Sequence, residues 1–312
     1  MKVHTQPLIS IIMPTYNCEL YIEKSICSVI EQSYKVWELI IINDGSTDNT
    51  LNLCEKYAQL DSRIRVFSQN NKGVSVARNN GINIANGKYI SFLDSDDTYH
   101  KDFLFKLLNA IEKNNNFNIS YCGFDRYINN VFSCSSEKHI EKGKIIKNYL
   151  LFLMNQKHFL SICSILINLN FLKQKNIKFP IGKTNGEDTA FLIKILSNAN
   201  VNFVGENLFQ YHLGRENSAT NNNPTISAIS ILDCYTDAYN FLLDNNIEQE
   251  ITLHAKKLIK SELKCWLKYS IKKKNYNLFI ALKKYDLNIK TLSWSTWILF
   301  HLLLKLYLKL KL

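Results

Sequence analysis

Three aspartates stand together immediately after an apolar run in the sequence. The run "KYISFLD" (88–94) ends in Asp94, and Asp96 and Asp97 follow within three positions. Clustered carboxylates repel one another, and aspartate is unfavourable inside strands and helices. Carboxylate oxygens are the ligands that hard divalent cations prefer, so the cluster predicts a metal site. The alternative is a cap for a helix that begins near Lys101, but a cap needs one aspartate rather than three.

Glycine-rich phosphate loops are absent from the sequence. There is no G-x-G-x-x-G after the first predicted strand and no G-x-x-x-x-G-K-[ST] anywhere, which excludes the dinucleotide fingerprint and the P-loop. A bound diphosphate therefore needs another counter-charge, which a divalent cation held by a few carboxylates can supply. Because side chains alternate along an extended chain, we expect Asp94 and Asp96 to point the same way. One would then face the metal, and the other the ribose hydroxyls or a metal-bound water.

The first 125 residues alternate between strand and helix patterns. Short runs of isoleucine and other apolar residues predict strands at 8–14, 37–43, 64–69 and 88–94, with helices between them. Strands that alternate with helices form a parallel sheet, and ligands bind at its carboxyl edge. The residues that this edge brings together are Pro14, Thr15, Tyr16, Asn17, Asn43, Asp44, Asp94, Ser95, Asp96 and Asp97.

The later part of the chain has fewer clear patterns. Residues 126–186 have no clear period, and 185–199 predict a helix with Glu187 and Asp188 in its first turn, where carboxylates suit the helix dipole. "YHLGRENS" (211–218) predicts a polar loop. The remainder of the chain is helical in pattern and rich in lysine.

Charge is distributed unevenly over the 312 residues. Residues 251–312 contain 14 lysines against two acids, whereas the 24 basic and 25 acidic residues before them nearly cancel. A nucleic-acid-binding protein more often carries its basic charge on the recognition domain, so this class is disfavoured. The eight cysteines include no C-x-x-C pair, and the apolar run near the start is too short for a secretory signal. We therefore expect reduced thiols and a cytoplasmic location.

Four separate stretches, in the same order, resemble the family 2 glycosyltransferases of bacteria: "ISIIMPTYNCELYIEKSICSVIEQSY", "ELIIINDGSTDNT", "NKGVSVARNNGINIANGKYISFLDSDD" and "GEDTAFLIKIL". The resemblance covers about residues 8–218. It implies an inverting enzyme that uses nucleotide-diphosphate sugars and has the α/β GT-A fold, which is Rossmann-like with a mostly parallel sheet flanked by helices. The expected domains are a catalytic domain at 1–218 and a helical, lysine-rich C-terminal region at 219–312.

The resemblance also implies roles for residues in these motifs. Tyr16 would stack on the nucleobase, Asp44 would bind the base edge, and Arg78 would face the base or the phosphates. Asp188 matches the general base, with Glu187 beside it. The residues implied in donor binding are Pro14, Thr15, Tyr16, Asn17, Asp44, Arg78, Asp94, Ser95, Asp96 and Arg215. The metal, Mn²⁺ or Mg²⁺, is expected on Asp94, Asp96 and His212.

Each assignment has a structural alternative. Tyr16 could simply pack in a turn, and Arg78 could be a solvated helix residue. Glu187 and Asp188 could be ordinary first-turn acids that stabilise a helix dipole. A lone histidine such as His212 is more often structural than a ligand.

The expected reaction is transfer of a sugar from a nucleotide-diphosphate donor, a UDP-hexose or UDP-N-acetylhexosamine, with inversion at the anomeric carbon. The acceptor would be a hydroxyl of a cell-surface glycan or glycolipid, such as lipopolysaccharide, capsule or O-antigen. Two alternatives stay open. A sugar nucleotidyltransferase uses similar metal carboxylates, and a non-catalytic basic membrane-binding protein would leave the aspartates without a role.

The C-terminal segment "LSWSTWILFHLLLKLYLKLKL" (292–312) is apolar but interrupted by lysines. Its longest uninterrupted stretch, 292–304, is too short to span a bilayer. Two tryptophans followed by three lysines are typical of a helix that lies on anionic lipid. We expect a peripheral location on the inner face of the cytoplasmic membrane, and the alternative is a helix docked on the protein itself.

Overall fold

The structure is a computed structural model, and it describes residues 6–113, 116–136, 143–157, 159–214 and 223–289. Strands and helices alternate through its first half, and helices alone follow the last strand. The strands are β1 (Ile9–Thr15), β2 (Trp37–Asn43), β3 (Ile64–Ser68), β4 (Tyr89–Phe92), β5 (Thr98–Tyr99), β6 (Ile119–Ile128), β7 (Val131–Ser135), β8 (Ile165–Asn168) and β9 (Val201–Leu213). The helices are α1 (Ile22–Ile30), α2 (Thr50–Leu60), α3 (Val74–Ile84), α4 (Phe103–Glu112), α5 (Ile146–Met154), α6 (Leu169–Gln174), α7 (Glu187–Leu196), α8 (Pro224–Asp244), α9 (Gln249–Lys272) and α10 (Tyr276–Ile289).

The strands form one sheet in the order β3-β2-β1-β4-β8-β6-β9-β5, with β7 paired to β6. The first four strands of this order are parallel, as their helical crossovers require. Beyond β4 the sheet is mixed, because β8 runs antiparallel to both its neighbours while β6 and β9 are parallel. The predicted α/β fold is confirmed, and its parallel character is concentrated in the half that carries the predicted rim.

The two central strands of the parallel half are buried along their whole length. All seven residues of β1 and all seven of β2 are buried, since helices cover both faces of this part of the sheet. The continuous apolar runs predicted both strands to within one residue at each end.

The predicted loop at 211–218 is wrong for its first three residues. Tyr211, His212 and Leu213 belong to β9, where they pair in parallel with the end of β6. Pairing with a strand more than 80 residues away outweighs the local polar pattern, which is the usual reason for such an error. The remainder of the segment, Arg215 included, lies outside the described residues.

Helices α8, α9 and α10 form a C-terminal helical unit that packs against the part of the chain that forms the sheet. Cys234, Ala238 and Leu242 of α8 belong to the main core around the sheet. Leu232 of α8 also contributes to a second apolar cluster that α9 and α10 complete. The boundary at 218/219 stays a prediction. Within the described ranges, no helix is long and apolar enough to cross a membrane, and the segment 292–312 lies outside them.

Candidate functional site

The loops after β1 and β2 are tied to each other at the carboxyl edge of the sheet. The Asn17 backbone N–H donates to Ser46 Oγ at 3.1 Å, and the Thr47 N–H donates to Asn17 Oδ1 at 2.8 Å. Asn17 has a φ of +46°, a left-handed conformation that asparagine tolerates better than most residues. Asn17 therefore has a structural role, because its hydrogen bonds join the loop after β1 to the loop after β2. Pro14 and Thr15 are buried in β1, whereas Tyr16 is 50% exposed and offers a free aromatic ring at the rim.

Asp44 organises the segment that follows β3. Its Oδ1 accepts hydrogen bonds from Gln69 Nε2 at 2.7 Å and from the Lys72 N–H at 2.8 Å. Its Oδ2 accepts from the N–H of Gly73, the residue that precedes α3, at 2.8 Å. A carboxylate has about four acceptor positions, so three internal bonds leave roughly one for a ligand. The predicted contact with a base edge depends on that remaining position.

Asp94 to Asp97 form a turn rather than the extended strand end that was expected. β4 ends at Phe92, and the Asp97 N–H donates to the Asp94 carbonyl at 3.0 Å, which closes a turn with Ser95 and Asp96 at its centre. The prediction that Asp94 and Asp96 point the same way by strand alternation is therefore wrong in its reasoning. The helix-cap alternative is also not supported, because β5 follows the cluster and the residue before α4 is Asp102.

A group of possible metal ligands within the described ranges consists of Asp94, Asp97 and Cys163, whose ligand atoms all lie within 4.8 Å of one another. Burial raises the pKa of the Cys163 thiol, which keeps it protonated and unsuited to a hard cation. Burial also raises the pKa of Asp97 well above its ordinary range. Asp94 keeps 30% of its side chain exposed, and Asp96 is partly exposed in the turn. Asp94 is therefore the member of this group that remains accessible to a hard cation, whereas Asp96 is not in the group and its predicted role as a metal ligand stays a prediction.

His212 lies in strand β9 and not in the predicted polar loop. Its backbone N–H donates to Asp97 Oδ1 at 2.8 Å, so it fixes the end of the aspartate turn to β9. Its ring stacks on Tyr127 with centroids 5.3 Å apart, and Nε2 lies 3.5 Å from Thr98 Oγ1. Burial lowers the pKa of His212, so the ring is neutral at pH 7. The structure does not include His212 in the ligand group, and its predicted role as a ligand stays a prediction.

Arg78 joins the two halves of the site. It projects from α3, is 2% exposed, and donates from Nη2 to Asp94 Oδ1 at 2.8 Å and from Nη1 to Asp188 Oδ1 at 2.5 Å. Glu187 Oε1 lies 3.9 Å from the same Nη1. The solvated-helix alternative for Arg78 is therefore wrong. The guanidinium of Arg78 is surrounded by carboxylates and is not at the surface. Its predicted contact with the base or the phosphates would therefore require the ion pair with Asp94 or with Asp188 to break.

Asp188 lies at the start of α7 in an environment suited to proton transfer. Burial raises the pKa of its carboxyl to about 7, against the lowering effect of the Arg78 guanidinium, and the nearby Glu187 and Asp94 also raise it. Burial likewise raises the pKa of Glu187, whose Oε2 has no hydrogen-bond partner in the described part of the chain. A carboxyl with a pKa near neutrality can accept a proton from an alcohol as it reacts.

The turn before α7 is held by the C-terminal helical unit. Ser230 Oγ of α8 accepts the N–H groups of Thr184 and Asn185, each at 3.0 Å, and donates to the Asn185 carbonyl at 2.8 Å. Gly186 has a φ of +86°, and a Cβ there would come within 3.0 Å of the Ile231 backbone. Only glycine fits this close approach, so α8 determines where α7 begins.

The sequence did not point to several of these residues. Cys163 and Ser230 lie outside every motif, and no local signal marks them. Asp97 stood in the opening cluster, but nothing in the sequence showed that it is buried and bound to β9.

Comparison with known proteins identifies the family. The profile described as "Glycosyl transferase family 2" matches residues 10–174. A relative named "Putative teichuronic acid biosynthesis glycosyltransferase TuaG", from Bacillus subtilis, is 46% identical over 104 residues, which are 33% of this chain and 41% of TuaG. The next relatives are covered to a smaller extent, so the chain spans about two fifths or less of the first curated relatives that it matches.

Solved structures share the fold. S. aureus TarS in complex with UDP-GlcNAc superposes with a TM-score of 0.72 at 20% identity, covering 88% of this chain and 79% of TarS. The mannosyltransferase PcManGT from Pyrobaculum calidifontis, in complex with GDP-Man and Mn²⁺, gives a TM-score of 0.58 at 14% identity, covering 96% and 86%. The chain belongs to glycosyl transferase family 2, as its motifs predicted.

Proposed function

We propose that this protein transfers a sugar from a nucleotide-diphosphate donor to an acceptor hydroxyl, with inversion at the anomeric carbon. The observation that carries the proposal is the pairing of one buried guanidinium, Arg78, with both Asp94 and Asp188. Arg78 links Asp94, the carboxylate implied in donor and metal binding, to Asp188, the carboxylate implied as the general base. The family match and the nucleotide-sugar complexes of the structural neighbours support the donor class.

The proton in this mechanism passes to Asp188. As the acceptor oxygen attacks the anomeric carbon, its O–H bond breaks towards the Asp188 carboxylate, and the bond from the anomeric carbon to the diphosphate oxygen breaks on the opposite face. A positioned base of this kind is worth about a hundredfold or more in rate. Arg78 orients the carboxylate before the acceptor binds. Burial, with a smaller contribution from Glu187, keeps the pKa of Asp188 near neutrality.

The donor lies, in this proposal, along the rim formed by the loops after β1, β2 and β4. Tyr16 stacks on the base, and Asp44 uses its remaining acceptor position for a ring N–H, which suits uracil and hence a UDP-hexose or UDP-N-acetylhexosamine. Asp94 and Asp96 would hold a divalent cation, Mn²⁺ or Mg²⁺, which would supply positive charge next to the diphosphate leaving group. The complex of PcManGT, which shares the fold, with GDP-Man and Mn²⁺ supports the proposal of a divalent metal.

The acceptor and the location are further parts of the proposal. A cell-surface glycan or a lipid-linked glycan suits the name of the relative TuaG, and it suits a peripheral location on the inner face of the cytoplasmic membrane. Residues 292–312, with two tryptophans and three lysines, would contact the anionic surface. These residues and Arg215 lie outside the described part of the chain, so their roles stay predictions.

A panel of nucleotide sugars tests the donor class. We expect UDP-sugars to raise the thermal midpoint of the protein only when Mn²⁺ or Mg²⁺ is present, and to release UDP on incubation with acceptor. Release of pyrophosphate would indicate a sugar nucleotidyltransferase instead. No nucleotide release and no shift with any donor would leave a non-catalytic binding protein as the better description.

A further inference from the structure

Helix α9 carries a stripe of exposed basic side chains with an exposed aliphatic residue at each end. We define this basic stripe as Leu253, Lys257, Lys260, Lys264, Lys268 and Ile271. The five steps between these residues cover eighteen positions, or 3.6 residues a step, which is the period of an α-helix. The six side chains therefore lie on one face of α9, along about 27 Å of its axis.

The opposite side of α9 is committed to packing inside the protein. Buried residues such as Ile259, Leu263 and Leu267 face α8 and α10, and α5 packs against the same helix. The stripe itself points outwards. Leu253 and Ile271 are 49% and 43% exposed, and the four lysines are exposed or partly exposed.

Most of the positive charge of the stripe is not neutralised by the acids of α9. Glu250 pairs with Lys147 of α5, and Lys257 of the stripe has a smaller electrostatic effect on it. Glu262 accepts from Trp266 Nε1 at 2.9 Å, and burial raises the pKa of its carboxyl, so it is turned away from the stripe. The salt bridges that join α8 and α9 to the rest of the described chain use other lysines: Lys144, Lys147, Lys183 and Lys194.

We propose that the basic stripe of α9 binds the surface of an anionic phospholipid bilayer. Charge complementarity favours a polyanionic partner. The straight, convex face of a helix suits an extended surface better than a small ligand that binds in a pocket. The exposed Leu253 and Ile271 distinguish lipid from a soluble polyanion, because aliphatic side chains gain free energy from hydrocarbon and nothing from a charged polymer. The stripe is separate from residues 292–312 and independent of the proposed catalytic function.

The test compares two full-length variants with the same change in net charge. The stripe variant carries Lys257→Gln, Lys260→Gln, Lys264→Gln and Lys268→Gln. The control variant carries the same substitution at four other exposed lysines: Lys35, Lys173, Lys175 and Lys178. Binding is measured by co-sedimentation with vesicles of phosphatidylglycerol and phosphatidylcholine at low and at high salt, with thermal melting to confirm that both variants fold.

We expect the stripe variant to lose vesicle affinity by on the order of several hundredfold at low salt, because each of the four lysines near an anionic surface adds about a fivefold attraction. The control should stay within a few-fold of wild type, and high salt should weaken the wild-type protein towards the stripe variant. Leu253→Gln with Ile271→Gln should also weaken binding.

Equal affinities for the stripe and control variants would overturn the proposal, since residues 292–312 or overall charge would then account for the binding. It would likewise be overturned if the wild-type protein bound soluble polyglutamate and ignored vesicles. In that case the stripe would recognise a charged polymer.

Discussion

Replacing Arg78 by methionine is expected to destabilise the protein through the carboxylates that it leaves behind. Methionine keeps much of the side-chain volume but removes the positive charge that contacts Asp94 and Asp188. Removing one partner of a buried ion pair costs about 3–5 kcal/mol. Asp94 and Asp188 keep 30% and 35% of their side chains exposed, so water can solvate them in part. We therefore expect the lower end of that range, about 3 kcal/mol.

The assay is urea denaturation at pH 7.5, with Arg65→Met as the matched control. The Arg65 side chain is 36% exposed. Its partner Glu38 is only 9% exposed, but the Glu38 carboxylate keeps hydrogen bonds from Ser10 and Asn86 when the guanidinium is lost, and these offset the loss. We expect the control to lose about 1 kcal/mol of the free energy of unfolding. The difference between the variants should shrink at acid pH, where the carboxylates around Arg78 take up protons and no longer repel one another. Equal losses in the two variants at pH 7.5 would refute the claim that the buried guanidinium of Arg78 holds the carboxylates of Asp94 and Asp188 together.

Three further outcomes follow from the site. Ser230→Ala should lower kcat roughly tenfold with little change in the KM for donor, because the turn before α7 loses its hydrogen bonds and small displacements of a catalytic group are costly. Ser270→Ala, at another buried serine, is the control, and Ser230→Thr should restore part of the rate. Asp96→Ala should remove most of the Mn²⁺-dependent affinity for UDP in a titration, and an unchanged metal dependence would reject Asp96 as a ligand. Because the pKa of Asp188 is raised to about 7 and a base must be deprotonated, kcat/KM should rise about tenfold per unit up to pH 7 and level off above it; a flat profile from pH 5.5 to 8.5 would contradict this.

The parallel half of the fold was predictable because its information is local. Buried parallel strands are continuous apolar runs, and β1 and β2 are such runs with turn residues at both ends. The mixed half was not predictable in the same way. β5 has two residues, and β9 mixes polar and apolar residues without a regular alternation, so both exist because of the strands that they pair with.

The candidate site was also predictable only where the information is local. The clustering of aspartates pointed to Asp94, and the resemblance to the family pointed to Asp188; their roles stay predictions. Neither signal could show that Arg78 connects the two, because its contacts reach 16 and 110 positions along the chain. A buried arginine and a solvated one have the same local sequence. Ser230 was missed for the same reason, since its value lies in a contact with a turn 45 residues earlier.

The central claim is that Asp188 takes the proton of the acceptor hydroxyl. Asp188→Asn keeps the size of the side chain and can still hydrogen-bond, but it cannot accept that proton. The most direct measurement is the single-turnover rate of sugar transfer at saturating donor, taken together with the dissociation constant of the donor. We expect the rate to fall by about a hundredfold or more while donor affinity stays near that of the wild-type protein. A rate within a few-fold of wild type would contradict the account and move the base elsewhere, first to Glu187.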